Sequence, residues 1–236
     1  MKITNAVAAF CVLLIGNPAP QKGGAVIQFN INKILNARPV TTLANSKLTP
    51  WKKGIDGNGI GDGYFTLSAA LFNKDANPNA LPDDPLFAAN ASHPAIKLHY
   101  LNADSLHNQA CAINGVGDVK FDVPKAKYKV VYLAVTSAEG ASSIKLWFNY
   151  TNGANSKSFT VPDYYWDIKP DDTNFCYLAH NLAKWGNKNN MTEKDHHNID
   201  LLCMRPDSAR VLKSIGISKG KAGYLVVWGG AGIKAD

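Results

Sequence analysis

The sequence predicts an all-β protein, an antiparallel β-sandwich or jelly roll with one short helix and long loops. Three observations carry this. Residues 119–161 break into four runs that alternate apolar and polar side chains: 119–123, 128–135, 144–150 and 157–161. Three of the four runs end at a turn signal, Pro124, Thr151-Asn152-Gly153 or Pro162-Asp163. Charged residues make up only 18% of the 236, while Gly, Asn and Pro are plentiful, a composition suited to strands and tight turns rather than to a helical bundle. Successive strand side chains face opposite ways, so these runs are consecutive half-buried strands.

Taken in order, residue Lys2 followed by the apolar run 6–15 and the break at 16–20 reads as an export signal. Ten apolar residues are too few to span a bilayer. Residues 1–24 are therefore assigned to a signal peptide, with cleavage after Gly16, Ala19 or Ala25, and 25–236 to a single domain that is secreted and has no transmembrane segment. The first strand is expected over 25–31. Residues 49–63 form a Gly-rich, charged loop, 64–72 a short apolar strand or loop, and 73–94, with four prolines, a long surface connection. Residues 96–101 alternate with Ile96, Leu98 and Tyr100 inward. In the third central run, Ile144, Leu146, Phe148 and Tyr150 share the core face, which turns Lys145, Trp147 and Asn149 outward. Phe175, Leu178, Ala179, Leu182 and Trp185 fall at helical spacing and predict the short helix. Residues 187–198 read as an exposed polar loop, and 211–217 and 224–228 as closing strands.

The net charge is +7, with the lysines scattered and no nucleic-acid-binding motif, so a basic soluble surface is the reading and no nucleic-acid partner is expected. In the exported chain three cysteines remain after Cys11 leaves with the signal. Cys176–Cys203 is the preferred bridge, which leaves one thiol free or available to a second chain. Asn90, Asn149 and Asn190 open Asn-x-Ser/Thr triplets and are candidate glycosylation sites.

Residues 118–124, 128–136 and 146–153, together with the upstream run 56–65 (Asp-Gly-Asn-Gly-Ile-Gly-Asp-Gly-Tyr-Phe) and 210–217, resemble galactose-binding-like β-sandwich domains of the carbohydrate-binding-module kind. That resemblance spans most of residues 25–233 and implies the fold; carbohydrate binding follows from it only by analogy. The stretch 175–200 departs from the family pattern.

Four constellations could carry chemistry. Asp56, Asn58 and Asp62 space oxygen-bearing side chains along a glycine-rich loop, as either a structural Ca²⁺ site or a metal-free Asx–Gly turn. Glu193, Asp195, His196 and His197, with His180, form the densest group of titratable residues. Asp163, Asp167, Asp171, Asp172 and Asp200 add carboxylates of the kind that glycoside cleavage needs in pairs. The aromatic residues Trp147, Tyr165, Trp166 and Trp185 offer ring faces on which the C–H face of a sugar stacks, and typical ring burial leaves about two of the five Trp in solvent. The leading expectation is a secreted protein that binds polysaccharide or glycan, with Trp166 and Trp185 stacking and Asp195 and His197 bonding hydroxyls. The alternatives are a carbohydrate-active enzyme (glycoside hydrolase or lyase) built on Glu193, Asp195 and His196 or His197, and an extracellular structural protein that self-assembles into oligomers.

Overall fold

The structure, a computed structural model, describes residues 24–235. The signal peptide assigned to residues 1–24, with Cys11, lies almost wholly outside the described residues. In chain order the strands are β1 (Val26–Gln28), β2 (Val40–Ala44), β3 (Lys47–Thr49), β4 (Tyr64–Phe65), β5 (Leu86–Phe87), β6 (Ile96–Lys97), β7 (Cys111–Asn114), β8 (Gly117–Ala126), β9 (Tyr128–Ala138), β10 (Ser142–Tyr150), β11 (Gly153–Val161), β12 (Phe175–Trp185), β13 (Met191–Met204), β14 (Leu212–Lys219) and β15 (Tyr224–Lys234). One helix, α1 (Leu67–Phe72), follows β4; Thr66 caps it by accepting from the Ala69 amide.

Two antiparallel sheets make a β-sandwich. One has the order β1-β15-β9-β13-β12, with β7 also paired to β15; the other runs β11-β10-β14-β8. Between them lies a core of Phe121, Val131, Leu133, Leu146, Phe148, Ile215, Ile217, Leu225 and Val227. The inward and outward faces of β10 are those its alternation predicts, with Ile144, Leu146, Phe148 and Tyr150 buried.

The six-stranded sheet is buried on its other face as well. Tyr132, Ala134, Ile199, Leu201, Tyr224, Val226 and Trp228 alternate with the sandwich core and pack against Val40, Ile55, Tyr64, Leu81, Ile96, Leu98 and Tyr100 from residues 37–110. A strand greasy on both sides is a strand covered on both sides, which is why 224–228 reads as an unbroken apolar run. The long early loops thus form a third layer, pinned by short sheets and by α1.

Two expectations are corrected here. The stretch 175–185 is strand β12, not a helix, and 187–198 is mostly the start of β13, not a loop. The pairing of these strands shifts register between Tyr177 and Ala179, between Ala179 and Leu182, and between Leu182 and Lys184. Each bulge inserts residues that interrupt the alternation, so the buried side chains Phe175, Leu178 and Leu182 fall three or four apart and mimic a helical stripe. The helix lies instead at residues 67–72.

Cys176 and Cys203 do lie side by side, but their Sγ atoms are 3.8 Å apart and both are free thiols, well beyond the ~2.05 Å of a disulfide. Cys111, the odd thiol, is fully buried in the sandwich core, where desolvation pushes its pKa up to about 11.

Candidate functional site

Three segments meet on the outer side of the β12–β13 hairpin: the glycine-rich loop before β4, residues 162–168 after β11, and the hairpin itself. At their junction Lys184 is buried, its side chain 8% exposed. Its Nζ lies 3.0 Å from Asp56 Oδ2, 3.0 Å from Glu193 Oε1 and 3.6 Å from Asp62 Oδ2, and it donates to the Tyr164 and Tyr165 hydroxyls at 3.2 and 3.5 Å. Asp56 is held in turn by the Tyr164 hydroxyl at 2.9 Å and by the Asp62 amide at 2.5 Å. Thr192 bonds Asp62, and Tyr165 donates to Glu193.

The residues expected to hold Ca²⁺ lie in this cluster. The carboxylates of Asp56 and Asp62 converge on an ammonium, and Asn58 is an exposed residue of the turn with φ of 57°. The glycine spacing serves the same end. A Cβ at Gly61 would sit 1.9 Å from Asp56 Oδ1, so only glycine lets the loop close over that carboxylate. Lys184 occupies the point on which these two carboxylates converge, where a hard cation would need several free oxygens.

Burial works against a charged Lys184, but its hydrogen bonds to Asp56 and Glu193 and the charge of Asp56 outweigh that and hold it above the usual lysine range. For Glu193, burial is outweighed by the bonds from Tyr165 and Lys184, and its pKa is lowered. Burial and the bond to Glu193 push Tyr165 up to about 12. His197 is fully buried; desolvation lowers its pKa, and its Nδ1 bonds the Leu182 carbonyl at 2.8 Å. His196 is raised by its bond to Asp195, 2.7 Å away.

At the surface of the cluster the rings of Tyr165 (39% exposed) and Trp166 (55%) face solvent. Tyr165 is braced edge-on against Tyr164 and His197, with centroids 4.9 and 4.6 Å away. Asp167, Tyr177 and His180 extend the rim: His180 stacks on Tyr177 at 4.2 Å and lies 3.6 Å from Asp167. The structure therefore brings together Tyr165 and Glu193, with the exposed Trp166 next to Tyr165 in the chain, while Asp195 is paired with His196.

It separates the other expected residues. Trp185 is 0% exposed, stacked on Phe65 at 4.7 Å, and has no ring face for a ligand; it is a core residue. His197 is equally buried and braces Tyr165 from beneath, so it cannot bond a ligand hydroxyl directly. Trp147 stands on the outer face of the four-stranded sheet, between Ser156 and Gly216 on its neighbours. Lys145 lies 4.4 Å over its ring and its Nε1 donates to Ser218. Of the five Trp, Trp147 and Trp166 are the two exposed ones. The sequon residues Asn90 and Asn190 are exposed and Asn149 is half-buried. Lys184 carried no sequence signal, because a single lysine in an apolar run looks like any solvated one; two of its acidic partners, Asp56 and Asp62, lie over a hundred positions away.

Asp200, on β13, is 1% exposed and its Oδ1 has no hydrogen-bond partner among the described residues. Burial, with a smaller contribution from Cys176, raises its pKa to about 8. A raised folded pKa means that Asp200 contributes most below about pH 4, and that this contribution is lost as pH rises through about 8. The Asp200→Asn variant is expected to flatten that decline and to be the more stable protein at alkaline pH. Urea titrations of both proteins across this range measure it; parallel pH profiles would refute the assignment.

No family model matches the chain, and no curated protein matches it. Among solved structures the chain is similar to TmCBM61 in complex with β-1,4-galactotriose, at 7% identity over 55% of this chain and 73% of that one, TM-score 0.25. It is also similar to CBM28, a carbohydrate-binding module specific for non-crystalline cellulose, at 10% identity over 63% of this chain and 82% of that one, TM-score 0.27.

Proposed function

We propose that this protein binds carbohydrate, and that it does so at the rim formed by Tyr165 and Trp166. The observation that carries the reading is the pairing of two solvent-facing rings with a carboxylate that is fixed in place. Trp166 and Tyr165 are exposed at consecutive positions, while Glu193 is anchored from below by Lys184 and from the side by Tyr165. Rings offer a face for the C–H side of a pyranose, and an oriented carboxylate accepts from its hydroxyls. Because the anchors are already bonded to one another, little side-chain freedom is lost on binding. The apolar run at residues 6–15 supports an exported protein.

Recognition fits the rim better than bond cleavage. A general acid or base works best with a pKa near the operating pH. Glu193 is held down, Tyr165 is pushed up to about 12, Lys184 is locked in ion pairs, and His197 is sealed beneath Tyr165. Trp147 is a poorer platform than Trp166, since Lys145 already covers its ring.

Affinity electrophoresis against a panel of β-glucan, galactan, xylan, mannan and chitin tests the reading. Trp166→Ala is expected to weaken retention by up to about tenfold, the value of one stacked ring, and Trp147→Ala to leave it unchanged. Retention of no saccharide, or equal retention by the Trp166→Ala variant, would sink the proposal.

A further inference from the structure

The lysines, scattered along the sequence, are not scattered over the surface. Five of them, with one arginine, gather at the end of the sandwich where β8 hands the chain to β9. Lys125, Lys127 and Lys129 are exposed and alternate with the half-buried Ala126 and the buried Tyr128, so all three point outward over this corner. Lys213 sits at the irregularity between the Leu212–Ala126 and Ser214–Asp122 pairs of β14 and β8. Lys234 pairs with Tyr128, and the amide of Ala235 beside it donates to the Lys127 carbonyl at 2.9 Å. Arg205 follows Met204, which pairs with Val131. All six side chains belong to exposed residues, and none takes part in an ion pair among the described residues.

The described carboxylates nearest to them in the chain are Asp122 and Asp207; Asp171 and Asp172 stand before β12, two strands away from β9. Even counting Asp236, which lies outside the described residues, six cations stand against three carboxylates. Like charges held this close repel one another and destabilise the compact state. The corner is nonetheless fixed: the Tyr128 hydroxyl donates to the Pro124 carbonyl at 2.6 Å, and the Tyr128 ring packs edge-on against Phe29 with centroids 5.7 Å apart. It also stands well away from the Tyr165–Trp166 rim. The Tyr164 amide donates to the Ser137 carbonyl at 2.7 Å, near the far end of β9, and nine strand residues separate Ser137 from Tyr128 by about 30 Å.

We propose that this basic end is a second docking surface, separate from the rim, and that its partner is an acidic polysaccharide of the uronate kind, laid across the corner. Charge complementarity carries the assignment: a chain with a carboxylate on each sugar meets the outward row of Lys125, Lys127 and Lys129 and the flanking Lys213, Lys234 and Arg205, and needs no cavity to do so. The side chains that other polyanions call for are missing from the described residues here. A lipid surface is held by Lys and Arg together with Trp, Phe or Leu, whereas Val26 is the one exposed large apolar residue beside Lys234. Nucleic acid draws on exposed rings and on arginine forks. The exposed rings are Phe72, Trp147, Tyr165 and Trp166, none of them at this end, and five of the six cations are lysines, which act as point charges.

Isothermal titration of the full chain with polygalacturonate and with its methyl ester, at neutral pH and low salt, tests this, because the two polymers share a backbone and differ in charge. Polygalacturonate is expected to bind at least about tenfold tighter than the ester, and added salt is expected to erode the difference, since every contributing charge is exposed to screening. The triple variant K125Q/K127Q/K129Q, confined to exposed positions, is expected to melt with the parent and to lose about tenfold in affinity for polygalacturonate. Trp166→Ala is expected to leave that affinity unchanged. Equal binding of acid and ester, no binding of the acid, or a triple variant that binds as the parent does would overturn the proposal. So would tighter, lysine-dependent binding of phosphatidylserine vesicles or duplex DNA than of polygalacturonate, which would assign the surface to a different partner. Loss of polygalacturonate binding in Trp166→Ala would move the contact to the rim, overturning the second surface while leaving the carbohydrate reading in place.

Discussion

Replacing Trp185 with alanine is expected to destabilise the protein by about 3–5 kcal/mol, the usual cost of truncating a large buried aromatic residue. The surroundings argue for the upper part of that range. Trp185 is fully buried, stacks on Phe65 with the rings 16° from parallel, and donates from Nε1 to Asp75 at 2.8 Å. The other buried members of this small cluster are Ala69, Ala70, Ala80 and Ala183. Methyl groups on a helix and strands cannot swing inward to fill an indole-sized void, and Asp75 loses its partner. In a domain of this size the loss corresponds to a fall of about 10 °C in Tm. Trp185→Phe, which keeps the stacking and loses only the hydrogen bond, is expected to recover most of it. A Trp185→Ala protein that melts within about 2 °C of the parent would show that this ring is not a structural strut. Because the ring is sealed, the variant that stays folded is expected to bind glycan as the parent does.

Lys184→Met is expected to cost a similar amount, about 3–5 kcal/mol, for a different reason. Removing the ammonium leaves Asp56, Asp62 and Glu193 crowded together beside Tyr164 with no cation among them. Desolvated carboxylates without a counter-charge are far costlier than the lost attraction alone suggests. The double variant D56N/K184M is therefore expected to be more stable than K184M itself, although it carries more changes. The pH dependence gives an independent check. In the parent, Glu193 has a lowered pKa, so its contribution is present above the ordinary glutamate range and is lost as the pH falls through the lowered folded value. In K184M that depression loses one of its causes, and the variant is expected to gain stability on acidification relative to the parent. Chemical denaturation of the three proteins at neutral and mildly acidic pH reads all of this. A K184M protein as stable as the parent, with the same pH profile, would mean that the cluster is solvated and contributes little. Glycan affinity is expected to fall with K184M as well, since Glu193 and Tyr165 lose the group that positions them.

The two expectations bear on how far the residues could be read without coordinates. Phe121, Leu146, Phe148 and Ile217 were legible as core from their alternation, because a strand with one covered face must repeat every two residues. Tyr165 and Trp166 were legible as exposed because they follow Pro162-Asp163 at the end of β11, where the chain leaves the sheet. The β12–β13 hairpin was misread because its bulges erase the two-residue period. Trp185 was misplaced because a tryptophan beside Gly186 at a strand end looks the same whether or not another segment covers it.

The Asp56–Asp62 loop shows the same limit. Its oxygens and glycines were visible, but a carboxylate draws equally on a metal ion or on an ammonium, and which one it meets is a matter of which strand lies opposite. What the sequence determined alone was therefore everything carried by local periodicity: the central strands, their inward faces and the sandwich they build. What only the tertiary structure decided was which rings and charges end in solvent. That depends on residues 37–110 folding back over the outer face of the six-stranded sheet, sealing Trp185 and Trp228, delivering Asp56 to Lys184, and leaving Tyr165 and Trp166 at the rim. Burial is a property of pairs of distant segments, and no period along one strand encodes its partner.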